Sequence, residues 1–162
     1  MIKLFVIFYI LALSVSAKAS RAIPPHFDLS FISESGTVTT VGQEASFTAY
    51  LEELDQDLQS PVVYVADIFN VDRAKVQGKF VLLERDGKSP FGEKIRLMAY
   101  NGAVGVIVVN MDESLFMMVG EGGLLEARGL MIPHSIGIQI RDQLLSGQSV
   151  QVRIPFVAEK TM

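Results

Sequence analysis

The stretch from Glu93 to Val109 constrains this chain more than any other. Residues 93–101 (EKIRLMAYN) put Ile95, Met98 and Ala99 on one face at helical spacing. Glu93 sits where the positive end of a helix dipole favours a carboxylate. Asn101-Gly102 stops the pattern, and Gly102 suits a left-handed cap. Ala103 to Val109 (AVGVIVV) then supplies four valines and one isoleucine with no polar alternation. A short run that is apolar on both faces is a central, fully buried strand. Helix, tight turn and buried strand in that order define an α/β unit.

The flanking sequence extends this pattern. Phe80 to Leu83 is a short apolar run, Asp86-Gly87 marks a turn, and Pro90 suits the start of a helix. Val62 to Ala66 reads as a strand, and Asp67 to Lys75 as a polar crossing anchored by Phe69 and Val71. Upstream, Phe27, Leu29 and Phe31 alternate with polar residues, and residues 37–50 repeat the theme around a turn placed at Gly42. Leu51, Leu54 and Leu58 have helical spacing, which predicts one short helix or helical turn ended by Pro61. Downstream, Ile132-Pro133 begins an extended piece in which Ile136 and Ile138 alternate with Gly137. Residues 141–146 form a helix closed by Gly147. Val150, Val152, Ile154 and Phe156 then alternate with polar residues as a strand with one wet face. Residues 110–130 are irregular and rich in Met and Gly, and so long a loop needs a functional reason.

The N-terminal segment has a different character. Residues 1–17 carry Lys3, a ten-residue apolar run from Leu4 to Leu13, and small residues at Val15 and Ala17. That is the layout of a secretory signal peptide, the alternative being an uncleaved signal-anchor, and the run is shorter than the roughly 20 residues a membrane span needs. The expected division is therefore a signal peptide at 1–17, an N-terminal extension at 18–36 leading into the first strand, one domain at 37–157, and a flexible tail at 158–162. No membrane span is expected after signal cleavage, which gives a protein of the secretory lumen or the extracellular space.

Composition excludes several kinds of function. The chain has 162 residues, 49% of them apolar, and a net charge of -4, so it can build a core but lacks the basic footprint of a nucleic-acid binder. It has no cysteine, which removes disulfides, thiolate catalysis and Cys-ligated metals. The two histidines, His26 and His134, have no short ligand spacing and read as surface or edge residues. Neither a GxSxG elbow nor a phosphate-loop frame occurs. Glu44, Glu52, Glu53, Asp55 and Asp57 lack calcium-loop spacing and read as a solvated face. Lys94 and Arg96 read as an ordinary helix surface. Phe116, Met117 and Met118 are candidates for an exposed, adaptable contact patch, the alternative being a lid folded back on the core.

The order of pieces between Gly78 and Asn110 resembles the protease-associated (PA) domain family. The strand Gly78 to Glu84, the turn Arg85 to Phe91, Lys94 three residues later, and the run Asn101 to Asn110 follow that family's pattern. Ile132-Pro133, Ile136 and Ile138 match its Ile-Pro strand, and Leu144, Leu145, Gly147, Val150 and Val152 its last helix and strand. Two departures stand out: Lys88 occupies the position of the family's usual Cys, and Pro90 is an extra residue in the turn. The resemblance implies a single α/β (α+β) domain with a twisted sheet or open barrel-like core and two or three short helices. It implies a free-standing, non-catalytic module that binds a protein or peptide and needs no cofactor or metal. The contacts are expected from the turn, at Asp86, Lys88, Ser89 and Phe91, and from the loop, at Phe116, Met117 and Met118. Two other readings remain open: a small secreted hydrolase using His134 with a carboxylate, and a structural or regulatory subunit of a separate protein. The sequence sets no oligomeric state.

Overall fold

The structure, a computed structural model, describes residues 26–51, 54–121 and 123–156. The signal peptide at 1–17 and the tail at 158–162 lie outside the described residues. Within them the chain forms β1 (His26–Ser33), β2 (Gly36–Glu44), β3 (Leu58–Tyr64), α1 (Arg73–Val76), β4 (Phe80–Glu84), α2 (Phe91–Tyr100), β5 (Gly105–Val109), β6 (Arg128–Ile132), α3 (His134–Leu145) and β7 (Val150–Ile154). The strands close into a barrel in the order β1-β2-β6-β5-β4-β3-β7.

The central expectation holds. Strand β5 is buried along its whole length and lies between β4 and β6, parallel to both. Helix α2 feeds it through Gly102, whose φ of +90° is the left-handed bend that only glycine adopts cheaply. Strand β3 is also parallel to β4, so β3 to β6 all run the same way. Their C-terminal ends at Tyr64, Glu84, Val109 and Ile132 therefore lie along one rim. The other pairings are antiparallel. Strand β1, placed by its sequence before the domain proper, pairs with both β2 and β7 and so helps to close the barrel.

Strand alternation sorts the side chains into two cores. One contains Leu29, Phe31, Val62, Phe80, Leu82, Ile107, Val109, Leu130, Ile132, Val150, Val152 and Ile154, with Ile140 of α3. Residues from six of the seven strands meet in it, so it is the barrel interior, and α3 packs onto it. The other contains Val81, Leu83, Val106, Val108 and Met131 with Ile95 and Met98, and lies between the parallel strands and α2. Each core residue is thus committed by the parity of its position on the strand.

Five local expectations are corrected. The turn placed at Gly42 lies at Glu34 and Ser35, which join β1 to β2. Gly42 is inside β2, where a Cβ would come within 2.9 Å of Leu29, so this glycine answers to packing and not to a turn. The helix placed at 51–60 shrinks to a turn in which the Leu54 N–H donates to the Leu51 carbonyl, and β3 begins at Leu58. Pro61 does not end an element. It stands inside β3 where that strand leaves β7 and takes up β4, a place where a missing N–H is tolerated. In the crossing after β3, Ile68 is the buried anchor and Phe69 is 70% exposed. Finally, the extended piece after Pro133 is helix: α3 begins at His134, and Gly137 is buried against Val109, where a Cβ would come within 2.2 Å.

Candidate functional site

The rim formed by the ends of β3 to β6 is where a parallel sheet places its ligand-facing loops. Two sequence-predicted segments converge there. The turn 85–90 follows β4, and the loop from Asn110 follows β5, its immediate neighbour.

The turn is held by Asp86. Its Oδ1 accepts from the backbone N–H groups of Lys88 (2.9 Å) and Ser89 (3.0 Å). Its Oδ2 lies 2.9 Å from Lys94 Nζ, which also donates to the Glu84 carbonyl at 3.2 Å. The Lys94 hydrogen bond, followed by the Lys88 N–H, holds the Asp86 carboxyl well below the usual carboxylate range. Lys94 is therefore not helix surface: its side chain is 3% exposed, against 43% for Asp86. A buried ammonium needs its carboxylate, so Asp86 serves first to fix the turn. Lys88 is left exposed and Ser89 half-buried.

Arg85 joins the turn to the loop. Its guanidinium lies 5.7 Å from the Phe91 ring centre and 5.0 Å from that of Phe116. The two rings meet edge to face at 5.8 Å, and Arg85 Nη1 donates to Asn110 Oδ1 at 3.0 Å. Asn110 in turn donates through Nδ2 to Asp112 and to the Ser114 carbonyl, which ties down the first turn of the loop. The structure thus brings Phe91 and Phe116 together. Met117 is half-buried beside them, whereas Met118 is fully buried in the outer core and takes no part at the surface. Met118 belongs to the same outer cluster as Met98 and Ile95, against which Phe91 and Phe116 also pack. Sequence reasoning missed Arg85 and Asn110. Their one visible mark was position, each directly following a buried parallel strand.

Two hollows flank the turn. One, of about 970 Å³, runs between α2 and residues 119–121 and is lined by Pro90, Glu93, Leu97, Tyr100 and Val119 among others. Tyr100 stands 81% exposed at its edge. Arg96 is not a free surface charge: it donates to the backbone carbonyls of Glu121 and Gly123 and pins the strap. The other, of about 430 Å³, is lined by residues 64–69 with Arg85, Asp86, Ser89 and Lys94, and exposed Phe69 is at its edge.

His134 lies on the same rim. Its Nδ1 is 3.0 Å from the Asn110 carbonyl oxygen. The neighbouring hydroxyl of Ser135 donates to Glu113 instead, at 2.9 Å. His26 is exposed at the start of β1. Among the described residues no three His, Asp or Glu side chains gather as a metal ion would require. Glu44 departs from the expected solvated face: it is fully buried and accepts from the Leu51 N–H.

The sequence matches the PA domain family over residues 40–138, more than half of the chain. The chain belongs to the PA domain family. The fold of this PA domain is similar to part of an aminopeptidase from Aneurinibacillus sp. strain AM-1, with a TM-score of 0.65 and 21% identity over 82% of this chain and 31% of that one. It is also similar to part of a zinc aminopeptidase from Bacillus subtilis, with a TM-score of 0.61 and 22% identity over 82% of this chain and 31% of that one. In sequence it is 31% identical over 85 residues to signal peptide peptidase-like 5 of Oryza sativa subsp. japonica, a match that covers 50% of this chain but 16% of that protein. The chain therefore spans a minor part of each of these proteins. Among the described residues, no helix is long and apolar enough to cross a membrane.

Proposed function

We propose that this PA domain is a non-catalytic module that binds a protein or peptide in the secretory lumen or outside the cell. The observation that carries the reading is the convergence of the β4–α2 turn and the strap after β5. Arg85 locks them together between Phe91 and Phe116, and the hollows on either side keep Phe69 and Tyr100 exposed. Exposed aromatic rings beside rigid hollows are the usual anchors of protein recognition. Lys88 and Ser89 of the turn, with Phe91, Phe116 and Met117, add contacts to this surface. The family match and the leader-like residues 1–17 support the role and the compartment. The hydrolase reading draws no support from His134, whose Nδ1 faces a backbone carbonyl.

Crosslinking of the mature protein in its own secretory pathway tests this. A partner trapped by the natural sequence should be lost on Phe69→Ser or Tyr100→Ser, both of which leave the core untouched. Equal recovery by all three proteins would remove these hollows from recognition, and no partner with any of them would remove the binding role.

A further inference from the structure

The larger hollow, between α2 and the strap, is chemically two-sided. Helix and strap meet there glycine to glycine. A Cβ on Gly92 would stand 3.3 Å from the Gly120 Cα and 3.7 Å from the Glu121 nitrogen. The missing side chains leave about 970 Å³ open over the contact. The residues that follow each glycine, Glu93 and Glu121, both line that space and are exposed. Two carboxylates therefore stand where helix and strap touch. Among the described residues, neither has an ion-pair or hydrogen-bond partner. The single cation lining the hollow, Arg96, is spent on the carbonyls of Glu121 and Gly123.

Away from the carboxylates the walls are apolar. Leu97 lies one turn along α2 from Glu93 and is half-buried, and Tyr100 follows it, 81% exposed. Val119 of the strap is 63% exposed. The strap also presents free main chain. Among the described residues, the backbone N–H and C=O groups of Val119 and Gly120 have no partner. An occupant that covered them without offering hydrogen bonds would leave them unsatisfied at a cost. An extended peptide offers such bonds, whereas a helix has spent its backbone internally.

We propose that this hollow takes an extended peptide that carries arginine or lysine two residues from a large apolar side chain. This rests on the protein- or peptide-binding reading above and gives that reading a ligand class. The cationic side chain meets Glu93 and Glu121, and the apolar one enters beside Leu97 and Tyr100. The spacing follows from the helix. Glu93 and Leu97 are about 6 Å apart along its axis. Residues i and i+2 of an extended chain share a face and lie about 7 Å apart, whereas i and i+1 point to opposite faces. The same two carboxylates repel an acidic peptide, so the site selects by charge as well as by fit.

Fluorescein-labelled octapeptide pools test this on the mature protein by anisotropy. Each pool fixes one leucine, with arginine, serine or glutamate two residues before or after it, and randomises the rest among small neutral residues. The arginine pools should bind on the order of tenfold more tightly than the serine pools, and the glutamate pools more weakly still. Setting arginine directly beside leucine should lose most of that gain, as should methylation of the peptide nitrogens. Glu93→Lys with Glu121→Lys should reverse the order in favour of glutamate, which misfolding cannot do. Glu34→Lys, in the β1–β2 turn outside the hollow, should leave the order unchanged. Should the double variant not fold, Glu93→Gln and Glu121→Gln should each weaken arginine binding severalfold and leave serine binding alone. Equal binding of the arginine and glutamate pools overturns the proposal, as does an arginine preference that survives these substitutions. If no pool binds while crosslinking in the secretory pathway still traps a partner, the ligand class fails and the binding reading stands. If crosslinking traps none either, both fail.

Discussion

Helices α2 and α3 both start after a proline, Pro90 and Pro133, with no side-chain cap, and both bury a face against the barrel. Only α2 announces its whole length in the sequence; of α3, only the half from residue 141 onward reads as helix. Its apolar residues Ile95 and Met98 recur at helical spacing and are buried where that spacing puts them. Helix α3 carries Ile136, Ile138 and Ile140 in alternation about Gly137, which is the pattern of a strand. Gly137 meets Val109 too closely for any side chain, so the helix gains its place by a backbone approach to β5. Amphipathic periodicity is a local cause of a helix. Close approach is a tertiary one, and it outweighs three β-branched residues and a glycine.

The sharpest way to break this comparison is Gly137→Ala. Helix propensity alone would favour alanine by about 1 kcal/mol. Overpacking against Val109 costs about 3 kcal/mol, so a net loss of about 2 kcal/mol is expected in urea unfolding. Gly92→Ala in α2, whose Cβ would stand 3.3 Å from Gly120 on the adjustable strap, should change stability little. Equal losses would mean that the two helices are seated alike.

Next comes the staple of α2. Asp86→Asn leaves the buried Lys94 without its counter-ion. The cost should be about 2 kcal/mol at neutral pH, less than for a fully buried pair because Asp86 meets water. Adding Lys94→Met should recover most of it. The Asp86 pKa is lowered by folding, so its contribution is whole above the ordinary value and fades only as pH falls further. The gap between the natural protein and Asp86→Asn should therefore hold down to about pH 4 and close below it. A gap that closed near neutrality would assign the cost to another group.

Arg85→Met should cost about 1 kcal/mol through the two lost ring contacts. Its more telling effect is faster amide exchange in residues 111–117, with α3 unchanged.

The smallest effect belongs to the α3 side, where Tyr64 donates to Glu84 at 2.8 Å and Arg141 meets the same carboxylate oxygen at 3.1 Å. Burial and then the Glu84 hydrogen bond push the Tyr64 phenol up to about 12. A raised phenol pKa means that the stabilising contribution is intact below the ordinary value of about 10 and is lost as pH rises towards 12. Ultraviolet titration should show Tyr64 ionising late, and Glu84→Gln should bring it part of the way down.

These cases mark how far the residues speak for themselves. Apolar runs bounded by turn chemistry were sufficient for β4, α2, β5 and β7, because burial on both faces or at a fixed period leaves a direct trace in the sequence. The order of those pieces was enough for the family. Side chains and glycines whose roles depend on distant neighbours left no such trace. Lys94 reads as surface until Asp86 and the Glu84 carbonyl close over it, and Met118 reads as a contact until the outer core takes it in. Gly42 reads as a turn and Gly137 as a strand residue until Leu29 and Val109 are seen against them. Arg85 reads as one more charge until two rings from separate segments close around it. Which segments must be buried can be read along the chain, since hydrophobic patterning is local. Closure into a barrel and the meeting of turn and strap on its rim were decided by pairings between residues far apart in the chain, and no local pattern records which of them will meet.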